Sequence, residues 1–176
     1  MTAEKLLIVV DYQVDFVTGA LGFSGAAALE ERICRKIEAF RAAGQDVIFT
    51  LDTHTPDYLQ TKEGERLPVP HCVKGTPGWE LAGRARSLAE GCVQLEKGTF
   101  GSAALLDYLR AHPYGAVELV GVVSNICVVS NAVIAKAALP EADIRVDARC
   151  TASPDPALEA KAFDVLENLH IAVDNR

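Results

Sequence analysis

The stretch LLIVVD at positions 6–11 places five apolar residues, three of them β-branched, directly before a carboxylate. This length and content are typical of a strand that is buried on both faces of a sheet. Further short apolar or β-branched runs lie at 47–51, 93–95, 117–120, 144–146 and 171–173. The sequence therefore predicts six strands.

The longer segments between these runs predict helices. One helical face carries Leu29, Ile33, Ile37 and Phe40, and Gly44 follows where a C-cap glycine is expected. Other helical patterns lie at 105–109 and 128–139, and a last amphipathic stripe consists of Leu158, Ala162, Val165 and Leu169. Strands that alternate with helices predict an α/β fold whose parallel sheet is covered on both faces.

Length and composition narrow the class of protein. The chain has 176 residues, 49% of them hydrophobic, and a formal net charge of -7. These values predict a single globular domain over residues 1–176 and disfavour a disordered chain. The acidic balance and the lack of a basic run disfavour nucleic acid as a partner. No apolar run approaches the length of about 20 residues that a spanning helix needs, so we expect no membrane partner.

The cysteine pattern bears on the compartment. Five cysteines are widely spaced and form no CxxC pair. This pattern disfavours a disulfide framework or a thiolate zinc site, and it favours a reducing, cytoplasmic location.

Three residues at predicted strand ends could carry chemistry, because ligands of parallel sheets bind beyond the carboxyl ends of the strands. Asp11 suits a general base, although a cap of a turn is the alternative. Lys97 suits the stabilisation of an anion, although a solvated surface lysine is the alternative. Cys127 lies where Ser124 or Asn125 can cap a following helix, which favours a nucleophilic thiolate, although a buried core cysteine is the alternative.

A candidate metal site lies in and beside the segment 53–78, which contains four prolines and three glycines and shows no clear periodicity. We expect this segment to be a long, functional or disordered loop. Asp52 and His54 share one side of an extended strand, and His71 follows later in the loop. One carboxylate and two imidazoles suit zinc, iron or manganese, and Glu63 or Glu65 could add an oxygen ligand. Two histidines in ordinary hydrogen bonds are the alternative.

Five stretches in this order resemble the isochorismatase-like cysteine hydrolases, and within them the nicotinamidases. They are VVDYQVDF at 9–16, DTH at 52–54, PHCVKGTPG at 70–78, KGTF at 97–100 and GVVSNICV at 121–128. The resemblance implies a three-layer α/β/α sandwich around a six-stranded, mainly parallel sheet. It also implies an amidohydrolase that converts nicotinamide and water to nicotinate and ammonia, a reaction of NAD metabolism.

The resemblance assigns roles to individual residues. It implies a catalytic triad of Asp11, Lys97 and Cys127, in which Cys127 attacks an amide and forms a thioester. It implies a cis peptide bond between Val122 and Val123, with the N–H groups of Val123 and Cys127 facing the oxyanion.

The metal site and the substrate pocket are implied in the same way. Asp52, His54 and His71 match the ligands of one divalent metal ion, for which we expect zinc, with Glu63 as a further ligand. The family often has an aromatic residue shortly before the second histidine, where this chain has residues 67–70 (LPVP). Phe16 is then one aromatic wall, and Tyr58 or Trp79 is the candidate for the other.

Two alternatives to a nicotinamidase remain. An amidohydrolase with the same triad could act on an N-carbamoyl or ureido compound. A non-catalytic assembly domain of this fold would lack a triad member, and none is missing here. We expect a small amide as substrate. We also expect a homo-oligomer, because members of the family that this chain resembles commonly form dimers or larger assemblies.

Overall fold

Six strands form the centre of the protein, of which the computed structural model describes residues 4–176. They are β1 (Lys5–Val10), β2 (Asp46–Asp52), β3 (Val93–Lys97), β4 (Ala116–Val122), β5 (Asp143–Ala152) and β6 (Ala172–Asp174). Each lies where the sequence predicted a strand. β5 is much longer than predicted, because it continues past the charged residues Asp147 and Arg149 with an irregular register against β4.

The strands form one parallel sheet in the order β3-β2-β1-β4-β5-β6. The chain therefore builds outward from β1 on one side and then restarts with β4 on the other. In sheets of this kind the ligand crevice lies beyond the carboxyl ends of the strands where the order reverses. Here that place is the junction of β1 and β4.

Helices cover both faces of the sheet. They are α1 (Val14–Val17), α2 (Ser24–Ala27), α3 (Glu30–Ala42), α4 (Lys62–Arg66), α5 (Gly83–Leu88), α6 (Ala103–Ala111), α7 (Val129–Ala138) and α8 (Pro156–Asn168). Side chains of β1 alternate between two apolar clusters. Leu7 and Val9 pack with α3 and α5, whereas Leu6, Ile8 and Val10 pack with α6, α7 and α8. This arrangement confirms the predicted three-layer sandwich.

The structure corrects two expectations about local elements. The segment 53–78 is an ordered element rather than a plain loop, since it contains α4 and the 3₁₀ turn Tyr58–Gln60, and a second 3₁₀ turn begins at its end. On α8, the buried residues are Ala162, Phe163 and Leu166, whereas the other members of the predicted stripe are largely exposed. The helix is rotated so that the phenyl ring of Phe163 packs on the sheet.

No helix within residues 4–176 is both long and apolar enough to cross a lipid bilayer.

Candidate active site

Four ionisable side chains meet at the carboxyl edge of the sheet. Asp11 follows β1, Asp52 ends β2, Lys97 ends β3, and Cys127 lies in a π-helical turn after β4. All four are buried. Parallel strands bring their carboxyl ends to one edge, which explains how residues that are distant in the sequence converge.

Lys97 links a carboxylate to the thiol. Its Nζ lies 2.6 Å from Asp11 Oδ2 and 3.6 Å from Cys127 Sγ. It also donates to the carbonyl oxygen of Thr99 at 2.9 Å. The hydroxyl of buried Thr50 donates to Asp11 Oδ1 at 2.6 Å, so one carboxylate oxygen accepts a hydrogen bond and the other is ion-paired with Lys97. This geometry holds an acid, an ammonium and a thiol in direct contact.

Burial and mutual charge shift the pKa values of all three groups. Burial raises the pKa of Asp11, and the Lys97 ammonium opposes that rise. Burial and then the charge of Asp11 raise the pKa of Cys127 well above its ordinary value, and Lys97 again opposes. Burial disfavours the charged form of Lys97, but Asp11, Cys127 and Asp52 outweigh burial and raise its pKa. Lys97 is therefore an ammonium whose charge supports one negative charge on the carboxylate or the sulfur.

A second cluster, which we call the metal-type cluster, adjoins the first. Ligand atoms of Asp52, His54, Glu63 and His71 all lie within 4.8 Å of one another. The Nε2 atoms of His54 and His71 lie 2.9 and 3.4 Å from Asp52 Oδ2, and each lies 3.7 Å from Glu63 Oε1. Such spacings suit four ligands around one ion with metal–ligand distances of about 2.0–2.2 Å. The donor set, two imidazoles and two carboxylates, fits a divalent metal.

Contacts around this cluster orient the ring of His71 and favour the ionised form of Asp52, as a metal site requires. His71 directs Nδ1 to the carbonyl oxygen of Val69 at 2.8 Å, which leaves Nε2 facing the other ligands. Burial opposes ionisation of Asp52, but His54, His71 and Lys97 outweigh it and lower the pKa of this carboxyl. Of the two glutamates considered from the sequence, the structure brings Glu63 to the site, whereas the exposed Glu65 pairs with Lys62 at 3.0 Å.

The turn that carries Cys127 differs from the expected capped helix. The turn Ser124–Val128 begins after Val123, and no side chain caps it. The hydroxyl of Ser124 instead donates to Glu159 of α8, so this serine anchors the turn to the neighbouring helix. The peptide bond between Val122 and Val123 is cis, at the place that the resemblance implied.

The site opens into a cavity of about 280 Å³. Cys127, Asp52, Glu63 and His71 lie on its wall together with Phe16, the expected aromatic residue. Tyr58 lies elsewhere: it is 1% exposed, its hydroxyl donates to the carbonyl oxygen of Leu67, and its ring contacts His54 and His71. Tyr58 and Trp79 are absent from the cavity wall.

Other side chains on the wall escaped the sequence analysis. The aromatic ones are Phe23 and Phe100. Phe100 belongs to the quoted stretch KGTF, and Asn125 belongs to the quoted stretch GVVSNICV, where it was considered only as a helix cap. Asn125 also lines the cavity, and its Oδ1 is buried without a hydrogen-bond partner among residues 4–176. These residues come from loops and turns, where spacing along the chain does not indicate which side chains face inward.

The match to known families agrees with this geometry. Residues 5–173 match the profile described as Isochorismatase domain. The chain belongs to the isochorismatase family. This confirms the resemblance noted in the sequence, and the match covers all of the sheet except the last residue of β6, together with the residues of both clusters.

Relatives within the isochorismatase family share most of the chain. The nicotinamidase/pyrazinamidase of Mycobacterium tuberculosis (strain ATCC 25618 / H37Rv) is 32% identical over 149 residues, 70% of this chain and 74% of the relative. The crystal structure of nicotinamidase PncA from Bacillus subtilis superimposes with a TM-score of 0.85 at 30% identity, over 97% and 98% of the two chains. That of pyrazinamidase from Pyrococcus horikoshii in complex with zinc gives 0.84 at 26% identity, also over 97% and 98%.

Proposed function

We propose that this protein hydrolyses the carboxamide of nicotinamide to give nicotinate and ammonia. The observation that carries the proposal is the contact of Cys127 with Lys97, and of Lys97 with Asp11. Cys127 lies on the wall of a cavity on which Asp52, Glu63 and His71 of the metal-type cluster also lie. Relatives at 30% and 32% identity are named nicotinamidases, which supports the same substrate here.

The geometry supports the following chemistry. The thiol proton of Cys127 passes to Asp11, and the sulfur attacks the carbonyl carbon of the amide. Collapse of the tetrahedral adduct breaks the C–N bond, and the proton on Asp11 leaves with ammonia. A water molecule then gives a proton to Asp11 and attacks the thioester, which releases the acid and regenerates the thiol. Lys97 remains protonated and supports the negative charge as it moves between the carboxylate and the sulfur.

Backbone groups of the turn after β4 complete the proposed site. We assign the N–H groups of Val123 and Cys127 to the oxyanion, because Val123 directly precedes the turn that carries the attacking sulfur and Cys127 lies in it. Asn125 Oδ1 is a buried acceptor on the same wall, and it suits an N–H of the substrate amide. Phe16 offers an apolar wall for the ring.

Asp52, His54, Glu63 and His71 are the residues that would hold a divalent metal ion, for which we propose zinc. When bound, the ion would supply a coordination position that orients the ring nitrogen of the substrate or a water. The neighbouring structure crystallised with zinc supports this choice.

The charges on the wall disfavour the alternative substrates. An N-carbamoyl or ureido acid carries a carboxylate, for which proteins commonly supply arginine or lysine. Among residues 4–176, the cavity wall contains neither arginine nor lysine. Its charged members are Asp52, Glu63 and Asp155, all acidic. The assembly-domain hypothesis predicts a broken triad, whereas here the three side chains are in contact.

The remaining expectations extend the same proposal. We propose one domain over residues 1–176, since one sheet and one family match extend over nearly all of it. A reducing cytoplasm suits a reaction that needs a free thiol at Cys127. We also propose a homo-oligomer, and Val133 of α7 and Val165 of α8, which are 41% and 52% exposed, are the candidates for its interface.

The test measures ammonia release from nicotinamide by the purified protein, with bound metal counted in the same sample. We expect turnover with about one metal per chain, loss of turnover in Cys127→Ala, and full turnover in Cys92→Ala, a half-buried cysteine outside the site. Turnover that survives in Cys127→Ala would remove the nucleophile. No ammonia from metal-loaded protein whose Cys127 still reacts with iodoacetamide would exclude nicotinamide as substrate.

A further inference from the structure

Four large apolar side chains at the mouth of the cavity remain unusually exposed. Leu67, Phe100, Ile126 and Leu158 are 37%, 44%, 38% and 45% exposed, and all four line the cavity. They come from four separate places: the end of α4, the loop after β3, the turn after β4 and the first turn of α8. We call these four residues the apolar rim. Clustered exposed apolar surface marks a place where a ligand or a partner binds.

The floor of the cavity differs from this rim. Phe16, His71 and Cys127 are 7%, 2% and 5% exposed, so the reacting end is enclosed. The volume of about 280 Å³ is close to the 300 Å³ or so at which pockets begin to enclose drug-sized ligands. A single aromatic ring with its carboxamide leaves part of this space, and the rim next to it, without a contact.

We propose that the preferred substrate is a neutral carboxamide whose ring or chain carries an additional apolar substituent, and that this substituent packs on the apolar rim. The inference rests on the proposed amidase function and deepens it. The bond that breaks is the same amide C–N bond, with water consumed and ammonia released.

The charge near the rim supports a neutral substituent. Asp155 is the charged neighbour of Leu158 on the cavity wall, and its carboxylate accepts hydrogen bonds from the N–H groups of Ala157 and Leu158. An anionic substituent would face this carboxylate without a cationic partner on the wall formed by the described residues. An alkyl or aryl group is not repelled by this carboxylate, and the burial of its apolar surface is favourable.

The experiment compares kcat/KM for nicotinamide with kcat/KM for its 5-propyl and 6-propyl derivatives, measured by ammonia release. We expect at least one derivative to exceed nicotinamide by about tenfold, because a single methylene in an apolar pocket changes kcat/KM by about 10- to 200-fold. Leu158→Ser should reduce this preference by about threefold to tenfold. The control is Leu169→Ser, a leucine of similar exposure (42%) that follows α8 and lies outside the cavity wall. It should leave the preference unchanged.

Four outcomes would overturn the inference. Both derivatives could be poorer substrates than nicotinamide, which leaves the proposed function intact. Leu158→Ser and Leu169→Ser could lower the preference equally. Leu158→Ser could alter the sedimentation coefficient without altering the preference, which would make the rim an interface between copies of the chain. If nicotinamide and both derivatives are inert while Cys127 still reacts with iodoacetamide, the proposed function itself fails, and this inference fails with it.

Discussion

Gln13 holds the end of β2 in place, and replacing it tests how the site is built. The ladder between β1 and β2 stops at the pair Val10 and Thr50, so the backbone of Asp52 extends beyond β1, although it is still paired with β3 on its other side. The carboxamide of Gln13, which is fully buried, forms the hydrogen bonds to Asp52 that β1 does not provide. It accepts from the N–H of Asp52 at 2.7 Å and donates to the carbonyl oxygens of Asp52 and Trp79 at 2.9 and 2.8 Å.

Gln13→Leu should therefore destabilise the protein severely. Leucine fills a similar volume but leaves three backbone groups without a partner. An unsatisfied buried donor or acceptor costs about 1–3 kcal/mol, and Trp79 is only half-buried, so we expect a loss of about 3–6 kcal/mol in the free energy of unfolding. That is a large part of the stability of about 5–15 kcal/mol typical of a domain.

Urea unfolding in the presence of a chelator measures this loss without a contribution from bound metal. The control is Gln94→Leu, on the exposed side of β3, whose carboxamide makes one long bond of 3.4 Å to the carbonyl oxygen of Ala89. We expect that control to change stability by no more than about 0.5 kcal/mol. A loss below about 1 kcal/mol in Gln13→Leu, or equal losses in the two variants, would refute the reasoning.

Three further predictions address the site and the pH dependence. Thr50→Val removes the hydroxyl that lowers the pKa of Asp11, so the acid limb of the pH profile of kcat/KM should move to higher pH. The control is Thr151→Val, whose buried hydroxyl has no partner within residues 4–176, and it should leave that limb in place. His71→Ala should reduce the metal content of the purified protein, and an unchanged content would show that His71 is not a ligand. Hydrogen bonds lower the pKa of Asp147 despite its burial, so its contribution to stability is present above its unfolded pKa of about 3.9 and is lost as the pH falls through its folded pKa. The difference in unfolding free energy between the wild type and Asp147→Asn should therefore shrink on acidification, and a constant difference would contradict it.

The sheet was predictable because buried parallel strands have a strong sequence signature. β1 and β4 are within two residues of their predicted bounds at each end, and the rule that ligands bind at carboxyl ends then placed Asp11 near the turn of Cys127. The helices were predictable where one apolar face is unambiguous, as in α3. On α8 the periodicity predicted the wrong face, because two overlapping stripes compete and only packing shows that Phe163 faces the sheet. The short helix α5 has no apolar stripe, and the sequence did not indicate it.

The cavity wall was the least predictable part. Tyr58 and Phe100 are both aromatic residues near recognised motifs, yet one packs behind the histidines and the other lines the mouth. The direction of a side chain in an irregular segment depends on contacts with distant residues, such as the bond from the Tyr58 hydroxyl to Leu67. A sequence motif therefore predicts the positions of the reacting groups well. It predicts poorly which residues line the cavity that receives the substrate.

Asp52 shows why the two clusters form one site. Strand alternation places His54 on the same side as Asp52, and the parallel register pairs Asp52 with Lys97 of β3. One carboxylate oxygen consequently lies 3.2 Å from Lys97 Nζ, while the other lies 2.9 Å from His54 Nε2. The same carboxylate thus contacts the ammonium beside the thiol and the ligand set beside the cavity. Any change in its charge alters the field at both, so the chemistry at Cys127 and the occupancy of the metal-type cluster are electrostatically linked through this one side chain.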